Sequence, residues 1–250
     1  LEGLTELENI KFSDKQIKLL KDIVVDASPK SKMAYAIFGS NNNIDIGLSK
    51  LATTIKGFEV ELLIGDPKKG KEYSKSCVGC HSKNFSGLIS ERSPSLPQLS
   101  NWYMQGQLQK YKQNILGYKV EDSDGYAMSS LMKDYSNQQI ADMVSYIKTF
   151  QPRKQLNTLY GDLENGKIEY ELNCMACHQK NGKGNKQLYA PNLVGLSDVY
   201  IVNQLIKYRD GIRGSGNGDK HGKVMQLFAK NLKNEQVMKD ISSYIISLQN

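Results

Sequence analysis

The chain has no run of about eighteen apolar residues, so no segment is expected to cross a membrane as a helix. Leu1 is not followed by the basic-then-apolar stretch of an export signal, so any signal or anchor is expected to have been removed or left out. Six prolines and 21 glycines in 250 residues exclude collagen-like and low-complexity architectures. Nothing reads as a convincing alternating strand. The lysines are dispersed and no nucleic-acid-binding motif accompanies them, so nucleic acid is not the expected partner. Histidine and cysteine are scarce, at three and four residues, and their placement is far from random.

All four cysteines and two of the three histidines fall in two copies of one motif, Cys77-Val78-Gly79-Cys80-His81 and Cys174-Met175-Ala176-Cys177-His178. C-x-x-C-H is the attachment signal for a c-type haem. The two thiols form thioethers with the vinyl groups, and the adjacent histidine is aimed at the iron. Rival readings explain less. A thioredoxin-like pair would occur once and needs no histidine. A zinc site made from both C-x-x-C pairs would leave both histidines idle. Disulfides would not fix the same histidine offset twice. Two covalent haem c groups are therefore expected, with Cys77, Cys80 and His81 holding one and Cys174, Cys177 and His178 the other. Such attachment takes place outside the cytoplasm, which places the mature protein in the periplasm.

The motifs belong to a longer internal repeat, offset by the 97 residues between Cys77 and Cys174. Lys83, Gly87, Pro94, Leu96 and Leu99 match Lys180, Gly184, Pro191, Leu193 and Leu196; Tyr103, Gln107, Lys110 and Tyr111 match Tyr200, Gln204, Lys207 and Tyr208. Gly125 and Met128 match Gly222 and Met225, and the register holds to Gln139 and Gln236 before the second copy gains a residue. Upstream, Gly65-Asp66 and Gly70 match Gly161-Asp162 and Gly166. The predicted organisation is an extension over 1–60, a first unit over 61–152 and a second over 153–250, with a boundary near Gln151-Pro152-Arg153.

Each unit reads as helical. Asp66, with Pro67 behind it, and Asp162 are predicted N-caps of helices running into the C-x-x-C-H motifs. Middle helices are expected over 101–114 and 198–209, and last helices over 136–150 and 233–248. In the last one Val237, Ile241, Tyr244 and Ile245 share a face. In the extension, Ser13-Asp14-Lys15-Gln16 reads as a capping box before a helix that ends at Ser28-Pro29, and a second helix is expected over 44–55. The extension is expected to pack on the haem units or to meet another subunit.

The second axial ligand follows from elimination. His221 is the one histidine left, it aligns with Asp124, and it reads as an exposed loop side chain. Among the eight methionines only Met128 and Met225 occupy equivalent positions, three residues after a glycine, where a loop could bring sulfur to the iron. A thioether favours ferrous iron and raises the potential, and a doubly ligated iron leaves no room for substrate.

Residues 61–250 resemble two tandem class I cytochrome c domains, similar to the dihaem cytochrome c4 family. The resemblance is carried by Gly65-Asp66, both C-x-x-C-H motifs, Ala190-Pro191-Asn192-Leu193, the segment from Tyr200 through Gln204, Leu205, Tyr208, Arg209, Asp210 and Gly211 to Arg213-Gly214, and by Met225 and Tyr244-Ile245. It implies an all-α fold, proline carbonyls of Pro94 and Pro191 bonded to the proximal histidines, and haem edges that face each other. It also implies that Arg213, which aligns with Leu116, lies at the second haem's periphery and raises its potential. The expected function is electron transfer between a quinol-oxidising complex or dehydrogenase and a terminal oxidase or reductase. A fixed subunit of a respiratory complex and a dihaem redox enzyme are the alternatives. The net charge of +7 points to a redox partner with an acidic docking surface.

Overall fold

The computed structural model describes residues 60–90 and 92–249. The helices and capping box expected within residues 1–59 lie outside them. The described part is helical, with only two isolated bridges, Leu88 to Ser93 and Asn185 to Ala190, at matching places in the two repeats.

The first repeat comprises α1 (Pro67–Tyr73), a 3-10 turn (Ser74–Cys77), α2 (Val78–His81), α3 (Asn101–Lys112), α4 (Ser123–Met132) and α5 (Asn137–Ile147). The second comprises α6 (Leu163–Asn173), α7 (Met175–His178), α8 (Asp198–Arg209), α9 (Lys220–Lys230) and α10 (Glu235–Ser247). The caps explain the starts. Asp66 accepts from Lys68 N at 2.8 Å with Pro67 behind it, and Asp162 accepts from Glu164 N and Asn165 N. Ser136 and Gln139 form a reciprocal capping box on α5.

In each repeat the first helix crosses the last at a glycine. A Cβ on Gly70 would lie 1.9 Å from Asp142 O, and one on Gly166 would lie 2.0 Å from Asp240 O. This crossing fixes the frame on which the motif helices are hung. The buried face of α10 carries Val237, Ile241 and Ile245, with Met238 alongside, as the periodicity requires. Met143 and Met238 are core residues, 1 % and 0 % exposed. The segment entering the first repeat is extended and runs along α3. Gln109 and Gln105, one turn apart, each exchange two hydrogen bonds with the backbone of Glu61 and Leu63.

Two structured turns differ from the sequence expectation. Met128 and Met225 sit on α4 and α9, not in loops. Gly125 and Gly222 mark helix starts there: a Cβ would fall 2.0 Å from the capping carboxylates of Asp122 and Asp219. The glycine makes room for the cap.

The repeats meet through a pseudo-twofold interface. Lys110 pairs with Asp219 at 2.7 Å, and its repeat equivalent Lys207 pairs with Asp122 at 2.5 Å and Asp124 at 2.9 Å. Tyr118 Oη meets Ser215 Oγ at 2.7 Å, and these two residues are themselves repeat equivalents. Self-complementary contacts of this kind are what a twofold relation generates.

Candidate functional site

His81 and His178 are 6 % and 5 % exposed. His81 Nδ1 lies 3.0 Å from Pro94 O, and His178 Nδ1 lies 2.9 Å from Pro191 O. A carbonyl oxygen only accepts, so each Nδ1 carries the proton and each Nε2 presents its lone pair. Burial pushes both imidazoles below their usual pKa, against a smaller upward pull from the carbonyl bond, which keeps them neutral and able to bind a metal. The loop that delivers each proline carbonyl is shaped by a glycine. Gly87 and Gly184 have φ of +82° and +80°, and a Cβ there would run into the backbone of Pro94 or Pro191. Their amides return to His81 O and His178 O at 3.1 and 3.0 Å.

The cysteines stand close by, none in a disulfide. Burial raises the thiol of Cys77, that of Cys177 to about 11 and that of Cys174 to about 12. A thiol raised in this way is the opposite of the activated thiolate of a redox pair. Among the described residues no three His, Cys, Asp or Glu side chains converge as a metal site.

In the second repeat Cys174, Cys177, His178 and Met225 line one cavity, walled by apolar side chains including Leu193, Leu196, Ile201, Phe228 and Ile241. In the first repeat Cys77 and Met128 pack on one cluster of Met132, Ile140 and Met143.

Arg213 lines the second cavity and is 6 % exposed. Its Nη1 donates to Gln204 Oε1 at 2.5 Å and its Nη2 to Gln107 Oε1 at 2.6 Å, so one guanidinium joins equivalent glutamines of both repeats. The Tyr208 ring lies beneath it, 5.1 Å away. Its Nε is buried without an acceptor. An orphaned cationic donor in an apolar cavity calls for an anion. Haem c fits: an apolar macrocycle for the walls, vinyl carbons for the two thiols, and a propionate for Arg213.

His221 is not the exposed loop residue its sequence context indicates. It lies on α9, half-buried, at the cavity wall, and stacks on Tyr189 with centroids 3.9 Å apart and planes 14° from parallel. Trp102 of the first repeat meets Tyr189 edge-on at 6.0 Å. In the first repeat the equivalents of Tyr189 and His221 are Arg92 and Asp124, an ion pair at 3.0 Å. Both members change together, and that covariation between repeats was the available sign of contact.

A family model for cytochrome c matches residues 67–151 and again 163–249. The chain is 29 % identical over 200 residues to cytochrome c4 of Azotobacter vinelandii, covering 74 % of this chain and 90 % of that one. It is 25 % identical to the cbb3-type cytochrome c oxidase subunit FixP of Bradyrhizobium sp. (strain ORS 278), over 60 % of this chain and 54 % of FixP. The cytochrome c4 structure from Acidithiobacillus ferrooxidans superposes with a TM-score of 0.56 at 24 % identity, covering 70 % of this chain and 99 % of that one, and shares its fold. No helix among the described residues is long and apolar enough to cross a membrane. The chain belongs to the cytochrome c family, as a cytochrome c4-like dihaem electron-transfer protein of class I with two covalently bound haem c groups.

Proposed function

We propose that the chain is a periplasmic electron carrier, charged by a quinol-oxidising complex or dehydrogenase and discharged by a terminal oxidase or reductase. The observation that carries this reading is the repetition of a buried neutral histidine with a methionine at the matching place in each repeat. When bound, haem c supplies reversible one-electron chemistry at its iron. Cys77 and Cys80, and Cys174 and Cys177, tether it. His81 and His178, oriented by Pro94 and Pro191, would offer Nε2 to its iron. Met128 and Met225 would offer it a thioether sulfur, leaving no open position for a substrate. The units act as 61–152 and 153–250, preceded by the 1–60 extension. The net charge of +7 suits partners with acidic docking surfaces.

The test is a redox titration with carbon monoxide as a second readout. Two one-electron waves and a ferrous form that resists carbon monoxide are expected. Rapid carbon monoxide binding to either haem of the unaltered protein would overturn it in favour of an enzyme. A second reading, a fixed subunit of a respiratory complex, draws support from the similarity to FixP. Co-purification with oxidase subunits from the native membrane would favour that reading.

Arg213 gives an expected difference between the two haems. Reduction adds one negative charge, and a buried guanidinium beside one haem stabilises its ferrous form. Leu116 occupies the equivalent place in the first repeat, 4 % exposed and without charge. Arg213→Leu is therefore expected to lower the upper wave by on the order of 1 kcal/mol, or ~40 mV for one electron. A shift confined to the lower wave would reverse the assignment.

A further inference from the structure

The extended segment that enters the first repeat is fastened to α3 by a matched ladder. Gln109 donates to Glu61 O at 2.9 Å and accepts from Glu61 N at 3.3 Å. Gln105 donates to Leu63 O and accepts from Leu63 N, both at 3.0 Å. A side-chain amide presents the same N–H and C=O pair as a peptide group, so each glutamine treats one residue of the segment as a neighbouring strand would. The spacings agree, four helical residues rising about 6 Å and two extended residues about 7 Å. From α5, Asn137 Nδ2 donates to Glu61 Oε2 at 3.0 Å and Gln138 Nε2 to Ile64 O at 2.9 Å. Gln105 and Gln109 are 4 % and 1 % exposed, so the fastening is part of the packed face of α3.

The fastening carries Val60 to the cavity of the other repeat. Val60 lines the cavity that holds Cys174, Cys177, His178 and Met225, beside Trp102, Gly106 and Gln107 of α3. It covers Gly106, where a Cβ would lie 2.9 Å from Val60 Cγ2. The valine thus stands in for the side chain that α3 lacks there. The second repeat is built differently at each of these positions. Asn203 replaces Gly106 and has its own Nδ2 buried, and Val202 and Ile206 replace Gln105 and Gln109. Its entering segment is held by Asp198, which accepts from Leu159 N at 2.8 Å. Leu156, the equivalent of Val60, is 78 % exposed. The strap is therefore a property of one cavity, not of the repeat.

We propose that residues 60–64 are a strap belonging to the second repeat's haem site, with Val60 as a wall residue that keeps water from that haem and holds its potential up. The proposal deepens the electron-carrier reading and rests on its haem assignment. Ferric haem carries one more positive charge than ferrous haem, and charge is disfavoured where water is shut out. A dry apolar wall therefore favours the ferrous state, and the potential follows solvent access. A valine side chain brings no charge and no polar atom, so its effect runs through water alone.

Redox titration of the holoprotein tests it, each wave being assigned by the ferrous-state methyl resonance of its methionine, Met128 or Met225. Val60→Gly is expected to lower the second repeat's wave, changing its oxidised-to-reduced ratio at fixed ambient potential about fivefold, or ~40 mV for one electron. The first repeat's ratio should change less than about 1.5-fold. Gln105→Ala/Gln109→Ala, which releases the strap, should move the same wave in the same direction, and Val60→Gly serves if that variant does not assemble. Leu62→Ala/Ile64→Ala trims side chains that are 48 % and 96 % exposed on the same strap. It should change neither ratio by more than about 1.5-fold. Val60→Gly/Gly106→Ala refills the gap from the helix side and should recover about half of the shift. An unmoved second wave in Val60→Gly, equal movement of both waves, an equal shift in Leu62→Ala/Ile64→Ala, or a Val60→Gly/Gly106→Ala variant no closer to the parent would overturn the wall while leaving the carrier intact. A parent protein without two reversible one-electron waves would overturn the carrier reading itself.

Discussion

Met225→Ala is expected to convert one of the two haems into an open site. The oxidised protein should lose half of the weak near-infrared sulfur-to-iron band, and the ferrous protein should bind one equivalent of carbon monoxide where the parent binds none. Removing a soft neutral ligand that favours ferrous iron should also lower that haem's potential by on the order of 100 mV, or ~2 kcal/mol for one electron. Met128→Ala should do the same to the other haem. The structural ground is placement: Met225 lines the cavity that holds Cys174, Cys177 and His178, and Met128 packs on the cluster that Cys77 touches. The remaining methionines offer a comparison. Met132, Met143 and Met238 are 1 % exposed or less and belong to the cores. Met143→Leu is expected to leave the band whole. A full-strength band in Met225→Ala would remove this residue from the ligand set.

Local chemistry was the most legible part of the sequence. C-x-x-C-H carries its meaning in a five-residue spacing, and the repeat singled out two methionines from eight without any coordinates. The helical character of those methionine segments was hidden, because Gly125 and Gly222 read as loop formers. They are glycines for a different reason, the carboxylate of Asp122 or Asp219 occupying the space of a Cβ. The interface was also out of reach. Its ion pairs join residues 109 and 85 positions apart, and nothing local in Lys110 or Lys207 reveals a partner in the other repeat. His221 was misplaced for a related reason. Its stacking partner Tyr189 lies on the other lip of the crevice, and only the paired change from Arg92 and Asp124 links the two.

Asp219→Ala is expected to destabilise the protein by about 3–5 kcal/mol, more than its surface-like residue type would indicate. Lys110 and Asp219 have side chains only 8 % and 2 % exposed, so the substitution strands an ammonium group in the interior. The same carboxylate caps α9 through Gly222 N at 3.2 Å, and loss of the cap adds about 1 kcal/mol. Ion pairs of this kind are weak sources of net stability, because desolvation offsets most of the attraction. What a reciprocal pair supplies is registry. Lys110 to Asp219 and Lys207 to Asp122 can both form only when the repeats meet in the twofold arrangement, and sliding either one strands charges on both sides. The double variant Lys110→Met/Asp219→Asn, which removes the stranded charge and keeps a capping side chain, is therefore expected to recover most of the loss in a denaturant titration. It should also loosen the interface that brings Gln107 to Arg213, which would appear as a smaller separation between the two redox waves. Recovery of stability with the separation unchanged would show that this pair does not hold the repeats in register.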